Sequence, residues 1–182
     1  MTGKLKVALV GNPNSGKTSL FNQLTGLNQQ TANFPGVTVE RHTGYSKMPD
    51  GSVAEVTDLP GMYSLYPRSL DERIVAEFLL NHRSPACPDV VVVVADATNL
   101  KRGLLLLTQI MDVGLPVMLV LNMMDQAAKA GINLDLHKLQ ALLGIKVIPT
   151  NARTGYGVDA LKQALLLKHE ISRKPVYTLD EG

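Results

Sequence analysis

Between Val7 and Asn22 the chain reads VALVGNPNSGKTSLFN, and no other stretch limits its fold as tightly. The apolar run Lys6–Val10 has strand length, and Lys17–Leu27 carries Leu20, Phe21, Leu24 and Leu27 on one helical face. Between them stands Gly11-Asn12-Pro13-Asn14-Ser15-Gly16-Lys17-Thr18, which matches G-x-x-x-x-G-K-[ST] in the setting that gives the pattern meaning. Glycines let successive backbone N–H groups close around an anion, and the helix start adds its partial positive charge. The stretch predicts a phosphate cradle, with Lys17 on the β- and γ-phosphates, the Thr18 hydroxyl on Mg²⁺ and Ser19 completing the turn.

The rest of the chain alternates in the same way. Strand-length apolar runs at Val90–Ala95, Pro116–Leu121 and Lys146–Pro149 read as parallel strands covered on both faces. Arg41–Met48 pairs back on Val53–Thr57 across the turn Pro49-Asp50-Gly51. Helical patterns fall at Leu70–Leu80, Lys101–Val113, Asp135–Leu143 and Val158–Ile171. These predict an α/β fold, a doubly wound sheet of about six strands, mostly parallel with one antiparallel strand and flanked by helices. Residues Asn28–Gly44 are polar and aperiodic and read as a long loop. Residues 1–171 form the expected domain, and 172–182 read as a linker leading elsewhere.

Bulk properties exclude some functions. Eighteen basic against 16 acidic residues leave a net charge of +2 without a basic cluster, which argues against a nucleic-acid partner. Cys87 is the only cysteine, so no internal disulfide forms, and its place between Pro85 and Pro88 suggests a quiet loop or buried thiol. No signal peptide and no apolar run near the ~20 residues of a membrane span are present, so this piece is expected to be soluble.

Three further motifs follow the cradle in order. Asp58-Leu59-Pro60-Gly61 ends a strand, so that Asp58 can hold a metal-bound water and the Gly61 N–H can meet a γ-phosphate. In Asn122-Met123-Met124-Asp125 the Asp125 carboxylate can accept from guanine N1–H and N2–H₂, a donor pair adenine lacks. Asn122 and Met123 are expected beside the base, and Thr150-Asn151-Ala152 would set the Ala152 N–H on guanine O6.

That order, with Thr38 between the first two motifs, resembles the translation-factor-related P-loop GTPases of Ras-like fold. The phrases NFPGVTVE (Asn33–Glu40) and DLPGMYSL (Asp58–Leu65) are more specific. They resemble the N-terminal cytosolic G domain of the bacterial ferrous-iron transport protein B family, over about residues 4–170. The resemblance implies a GTP-hydrolysing switch, using GTP/GDP, Mg²⁺ and K⁺, that regulates or drives Fe²⁺ uptake from the cytoplasmic face of the inner membrane. It implies helical and transmembrane parts of a longer protein as partners, and allows small cytosolic accessory proteins and an oligomer of the full-length protein.

It also assigns residues. Gly36, Val37 and Thr38 belong to the switch loop, with Thr38 on Mg²⁺ beside Thr18 and Asp58. The catalytic set is Asn14, Lys17, Thr38 and Gly61, and Asn14 would ligate K⁺ together with carbonyls near Asn28–Phe34. Met62 stands where Ras-like proteins use Gln to orient water, and a thioether cannot do so; Met62 is expected to pack. Asn151 replaces a usual Ser, and Met124 is read as replacing the Lys of N-K-x-D.

His42, His82, His137 and His169 show no metal-ligand spacing, and Glu72, Arg73 and Glu77 read as a solvated helix face. Two other functions remain compatible: a stand-alone ribosome- or RNA-associated GTPase, and a nucleotide-sensing module with little turnover.

Overall fold

The computed structural model describes residues 4–27, 29–81 and 83–167. A seven-stranded sheet runs through it in the order β2-β3-β4-β1-β5-β6-β7. The strands are β1 (Leu5–Gly11), β2 (Gln29–Asn33), β3 (Glu40–Lys47), β4 (Val53–Asp58), β5 (Val90–Asp96), β6 (Val117–Asn122) and β7 (Val147–Pro149). β3 alone runs against its neighbours, pairing antiparallel with both β2 and β4. All pairings from β4 to β7 are parallel.

Among the described residues five α-helices connect strands, α1 (Lys17–Thr25), α2 (Leu70–Leu80), α3 (Leu100–Asp112), α4 (Met124–Lys129) and α5 (Leu136–Leu143), and α6 (Val158–Leu166) follows β7. The central strands are apolar throughout because both faces are covered. Ala8, Val10, Val91, Val93 and Leu119 meet α2 and α3 in one core cluster. Val7, Leu9, Val92, Val94 and Val120 meet α1 and α6 in the other.

The sheet has seven strands where the sequence reading expects about six, and the extra one is β2. The segment read as a loop pairs with β3 from Gln29↔Gly44 to Asn33↔Glu40. All five β2 residues are exposed, so no burial forces an alternating pattern onto this edge strand. Helix α4 is also additional to that reading, its six residues being too few to carry a periodic pattern. The proposed linker, His82, His169 and the expected end of α6 beyond Leu167 lie outside the described residues.

Candidate functional site

β1 lies between β4 and β5, so the chain builds β2 to β4 on one side of β1 and then crosses to build β5 to β7 on the other. That reversal opens a crevice at the C-terminal end of β1, the usual ligand position in such sheets. Gly11 ends β1, Asp58 ends β4 and Asn122 ends β6, so the motifs share one rim.

The cradle is built mainly from backbone. Gly16 (φ 81°) caps α1 without a side-chain acceptor, and the first turn of α1 holds no acidic residue. The orphan N–H groups of the helix start are therefore left to an anion. A Cβ on Gly16 would lie 2.1 Å from Asn122 Nδ2, so only glycine fits. Asn14 is also left-handed (φ 65°), and among the described residues its side chain caps nothing.

A cavity of about 490 Å³ is lined by Asn12, Pro13, Asn14, Gly16, Lys17 and Thr18, with Ser19 and Gly61 completing its wall. Asn12 Oδ1 and Ser15 Oγ are buried without a partner. Lys17 is 8% exposed and its ammonium pairs with Asp58 Oδ1. Thr18 Oγ1 donates to Asp58 Oδ2 at 2.9 Å. Beyond β4 the chain stays tied to β1, Leu59 N donating to Leu9 O at 3.2 Å and Met62 N to Gly11 O at 3.0 Å. This carries Gly61 against Pro13, where an added Cβ would sit 3.0 Å from the proline ring.

The other end of the rim is an interlocked knot. Asn122 Nδ2 donates to Ser15 O at 3.0 Å. Its Oδ1 accepts from Ala152 N at 2.9 Å and from Thr150 Oγ1 at 3.3 Å. The Ala152 N–H expected on a base is thus already engaged by Asn122. Asn151 closes its own turn, Oδ1 accepting from Arg153 N at 3.1 Å. Asp125 lies in the first turn of α4, and its half-buried carboxylate has no partner within the described residues.

One assignment has to be moved. Met123 adopts φ 62°, and its Cε lies 3.6 Å from where a Gly16 Cβ would be. Met124 packs into the core. The side chain over the cradle, in the place of the motif's Lys, is Met123 rather than Met124.

The switch loop stands apart. Phe34 N donates to Val39 O at 2.9 Å and Val37 N to Phe34 O at 3.2 Å, closing a turn around Gly36 (φ 77°). Thr38 is exposed, and neither it nor Gly36 nor Val37 lines the cradle cavity. Met62 is fully buried in the core.

Two residues that hold the segment after Gly61 were not singled out for it. Glu72 is half-buried rather than solvated, and its carboxylate accepts from Arg68 N at 2.8 Å and Tyr63 N at 3.4 Å. Ser69 Oγ in turn accepts from Glu72 N at 3.2 Å, so Ser69-x-x-Glu72 is a readable capping signal. Gln109 of α3 accepts from Ser64 Oγ at 2.9 Å and Leu65 N at 2.8 Å, and no local pattern announces it. Arg73 and Glu77 do form an exposed pair at 2.9 Å. Burial, reinforced by Asp89, pushes the Cys87 thiol up. Among the described residues no three His, Cys, Asp or Glu gather as a metal site, and no helix is long and apolar enough to cross a membrane.

Residues 5–165 match the family model described as ferrous iron transport protein B. The chain is 49% identical over 168 residues to the Fe(2+) transporter FeoB of Leptospira biflexa, covering 92% of this chain and 24% of that protein. It therefore spans about a quarter of that relative's length. The crystal structure of the G domain of the T. maritima FeoB iron transporter superposes with a TM-score of 0.82 at 41% identity, covering 92% of this chain and 99% of that one. The T. maritima cytosolic domain in GMPPNP form gives a TM-score of 0.86 at 41% identity, over 98% of this chain and 68% of that one.

Proposed function

The chain belongs to the ferrous iron transport protein B family, and from that premise we propose that it is a GTP-hydrolysing switch within a longer protein that moves Fe²⁺. The observation that carries this reading is the cradle: an uncapped helix start, Lys17 and the Thr18–Asp58 oxygen pair on one cavity. The GMPPNP form of the T. maritima relative supports the same ligand class.

A nucleotide's phosphates compete with Asp58 for Lys17. Lys17 turned to the β- and γ-phosphate oxygens would free Asp58 to hold Mg²⁺ through water. Two oxygens 2.9 Å apart at the rim suit a hard divalent cation, so Thr18 directly and Asp58 through water would hold Mg²⁺. When bound, Mg²⁺ offsets charge on the phosphate oxygens. Guanine is selected by Asp125, braced by Asn122 and flanked by Met123, with the Thr150-Asn151-Ala152 loop around it.

Hydrolysis needs one more element. Thr38 would have to leave its turn to hold Mg²⁺ together with Thr18, and the Gly61 N–H would meet the γ-phosphate. Water then adds to the γ-phosphorus, the bond to the β–γ bridging oxygen breaks, and GDP and phosphate leave. Loss of the γ-phosphate lets both segments go, and the helical and transmembrane parts beyond this domain read that change.

Turnover is slow without help, because Met62 is buried and holds no water. Asn14 supplies the help: it lines the cavity with an uncommitted side chain, and its amide oxygen would ligate K⁺ where an arginine finger places charge in other GTPases. Carbonyls from the segment 29–34 would complete that shell, since β2 is an edge strand with one row of backbone groups unpaired.

GTP turnover in matched K⁺ and Na⁺ salts tests this for wild type and Asn14→Ala. K⁺ is expected to stimulate the wild type at least tenfold, and the mutant to lose that stimulation while keeping GDP affinity. Equal wild-type rates in the two salts would remove the K⁺ role. GDP binding without turnover in either salt would favour the nucleotide-sensing module.

A further inference from the structure

A second cavity, of about 340 Å³, lies between the switch loop and α2, and no step described so far uses it. Phe34 and Val37 line it from the loop, Ile74 and Phe78 from α2, and Arg41 from β3. The rings of Phe34 and Phe78 meet edge to face, centroids 5.5 Å apart at 71°. The Arg41 guanidinium lies 5.5 Å from the Phe34 ring centroid.

Arg41 is the unusual member. Its Nε is buried and has no hydrogen-bond partner, an arrangement that costs stability unless something repays it. Glu77, the acid that lines the cavity, is paired with Arg73 instead. A guanidinium offers a planar fork of donors that matches a carboxylate. Two aromatic rings and two aliphatic side chains around it call for an apolar body behind that carboxylate. The volume lies at the lower end of small-molecule pockets.

We propose that this cavity is a binding site for a small organic acid, its carboxylate on Arg41 and its flat apolar body against Phe34 and Phe78. Because Phe34 and Val37 flank Thr38, an occupant holds the switch loop where Thr38 stands off the cradle. The acid and GTP therefore oppose one another, while GDP, which makes no call on Thr38, is indifferent. Linkage makes that opposition reciprocal, and this consequence rests on the switch role proposed above.

The probe is 3-phenylpropionate, with 3-phenylpropan-1-ol as its uncharged counterpart, titrated into the 182-residue chain and followed by calorimetry and ¹H–¹⁵N spectra. A ligand of this size is expected to saturate with a Kd of about 1 mM or tighter, shifting amides of Phe34, Arg41 and Phe78. The alcohol is expected to bind at least tenfold more weakly. Arg41→Gln should lose at least tenfold in affinity for the acid while keeping that for GDP, and Arg41→Lys should fall between.

Equal binding of acid and alcohol, absence of saturation up to about 20 mM, or undiminished binding by Arg41→Gln would each overturn the site. If Arg41→Gln does not fold, the acid–alcohol comparison on wild type decides alone. For the coupling, saturating acid should weaken GMPPNP binding at least threefold and leave GDP binding unchanged. Binding without that difference would keep the site and sink the coupling to the switch.

Discussion

The base side and the switch side of the same rim are built to opposite standards. On the base side Asn122 ties three segments together through contacts of 2.9 to 3.3 Å, and Asn122 and Thr150 are almost wholly buried. On the switch side Thr38 is exposed and its loop is held by its own turn and by Phe34 and Val39 in the core. Affinity for a nucleotide is thus laid down when the chain folds, whereas competence to hydrolyse it depends on a rearrangement. A hydrogen-bonded knot costs little further ordering on binding. An exposed loop with few buried contacts is the part of a fold that opens most readily.

The comparison is broken most severely at Asn122. Asn122→Ala leaves the Ser15 carbonyl and the Ala152 N–H buried and unpaired, about 1–3 kcal/mol each. The expected loss is about 2–5 kcal/mol in urea unfolding and about a hundredfold or more in GDP affinity. A mutant as stable and as tight as wild type would show that the loops do not depend on this knot.

Asp125→Asn strikes the same side more gently. Its carboxylate has no partner within the described residues to strand, so stability should hold. GDP affinity should fall by about 1–3 kcal/mol, and xanthosine diphosphate, which carries an acceptor where guanine carries its amino group, should gain. GDP binding retained without any gain for the xanthine nucleotide would remove Asp125 from base recognition.

The two sides also differed in how far the sequence disclosed them. Buried strands announce themselves as apolar runs, which is why β1, β5 and β6 fall within a residue or two of expectation, and α2 falls on it. β2 did not, because a strand exposed on both faces has no reason to alternate, and QQTAN looks like any polar loop. The motif residues were legible because each carries its own chemistry, yet their mutual contacts were not. Nothing local says that Lys17 pairs with Asp58, 41 positions away, or that Gln109 reaches Leu65. Glu72 was within reach, since Ser69-x-x-Glu72 is a capping pattern, but its charge drew the reading toward solvent. Met123 as the residue in the Lys place of N-K-x-D follows from counting along Asn122–Asp125, so that assignment was open to the sequence; only its left-handed backbone was not.

The smallest effect on chemistry is expected at Met62, the residue after Gly61. Its N–H extends the β1 pairing through Gly11 O at 3.0 Å, which fixes Gly61 at the cavity wall, while its side chain is fully buried in the core. The backbone serves the site and the side chain serves the fold. Truncation therefore separates the two. Met62→Ala opens a cavity and should lose about 2–5 kcal/mol of stability, whereas the near-isosteric Met62→Leu should lose less than about 1.5 kcal/mol. Removing a group that positions a reacting water or oxyanion costs roughly 10²–10³-fold in rate. Turnover per folded molecule, measured at saturating GTP well below the unfolding temperature, should change less than about tenfold in both variants. A hundredfold collapse in Met62→Leu, with GDP affinity and folding intact, would mean that the thioether itself shapes the position of the attacking water. The switch side would then be more finished than its exposed threonine suggests.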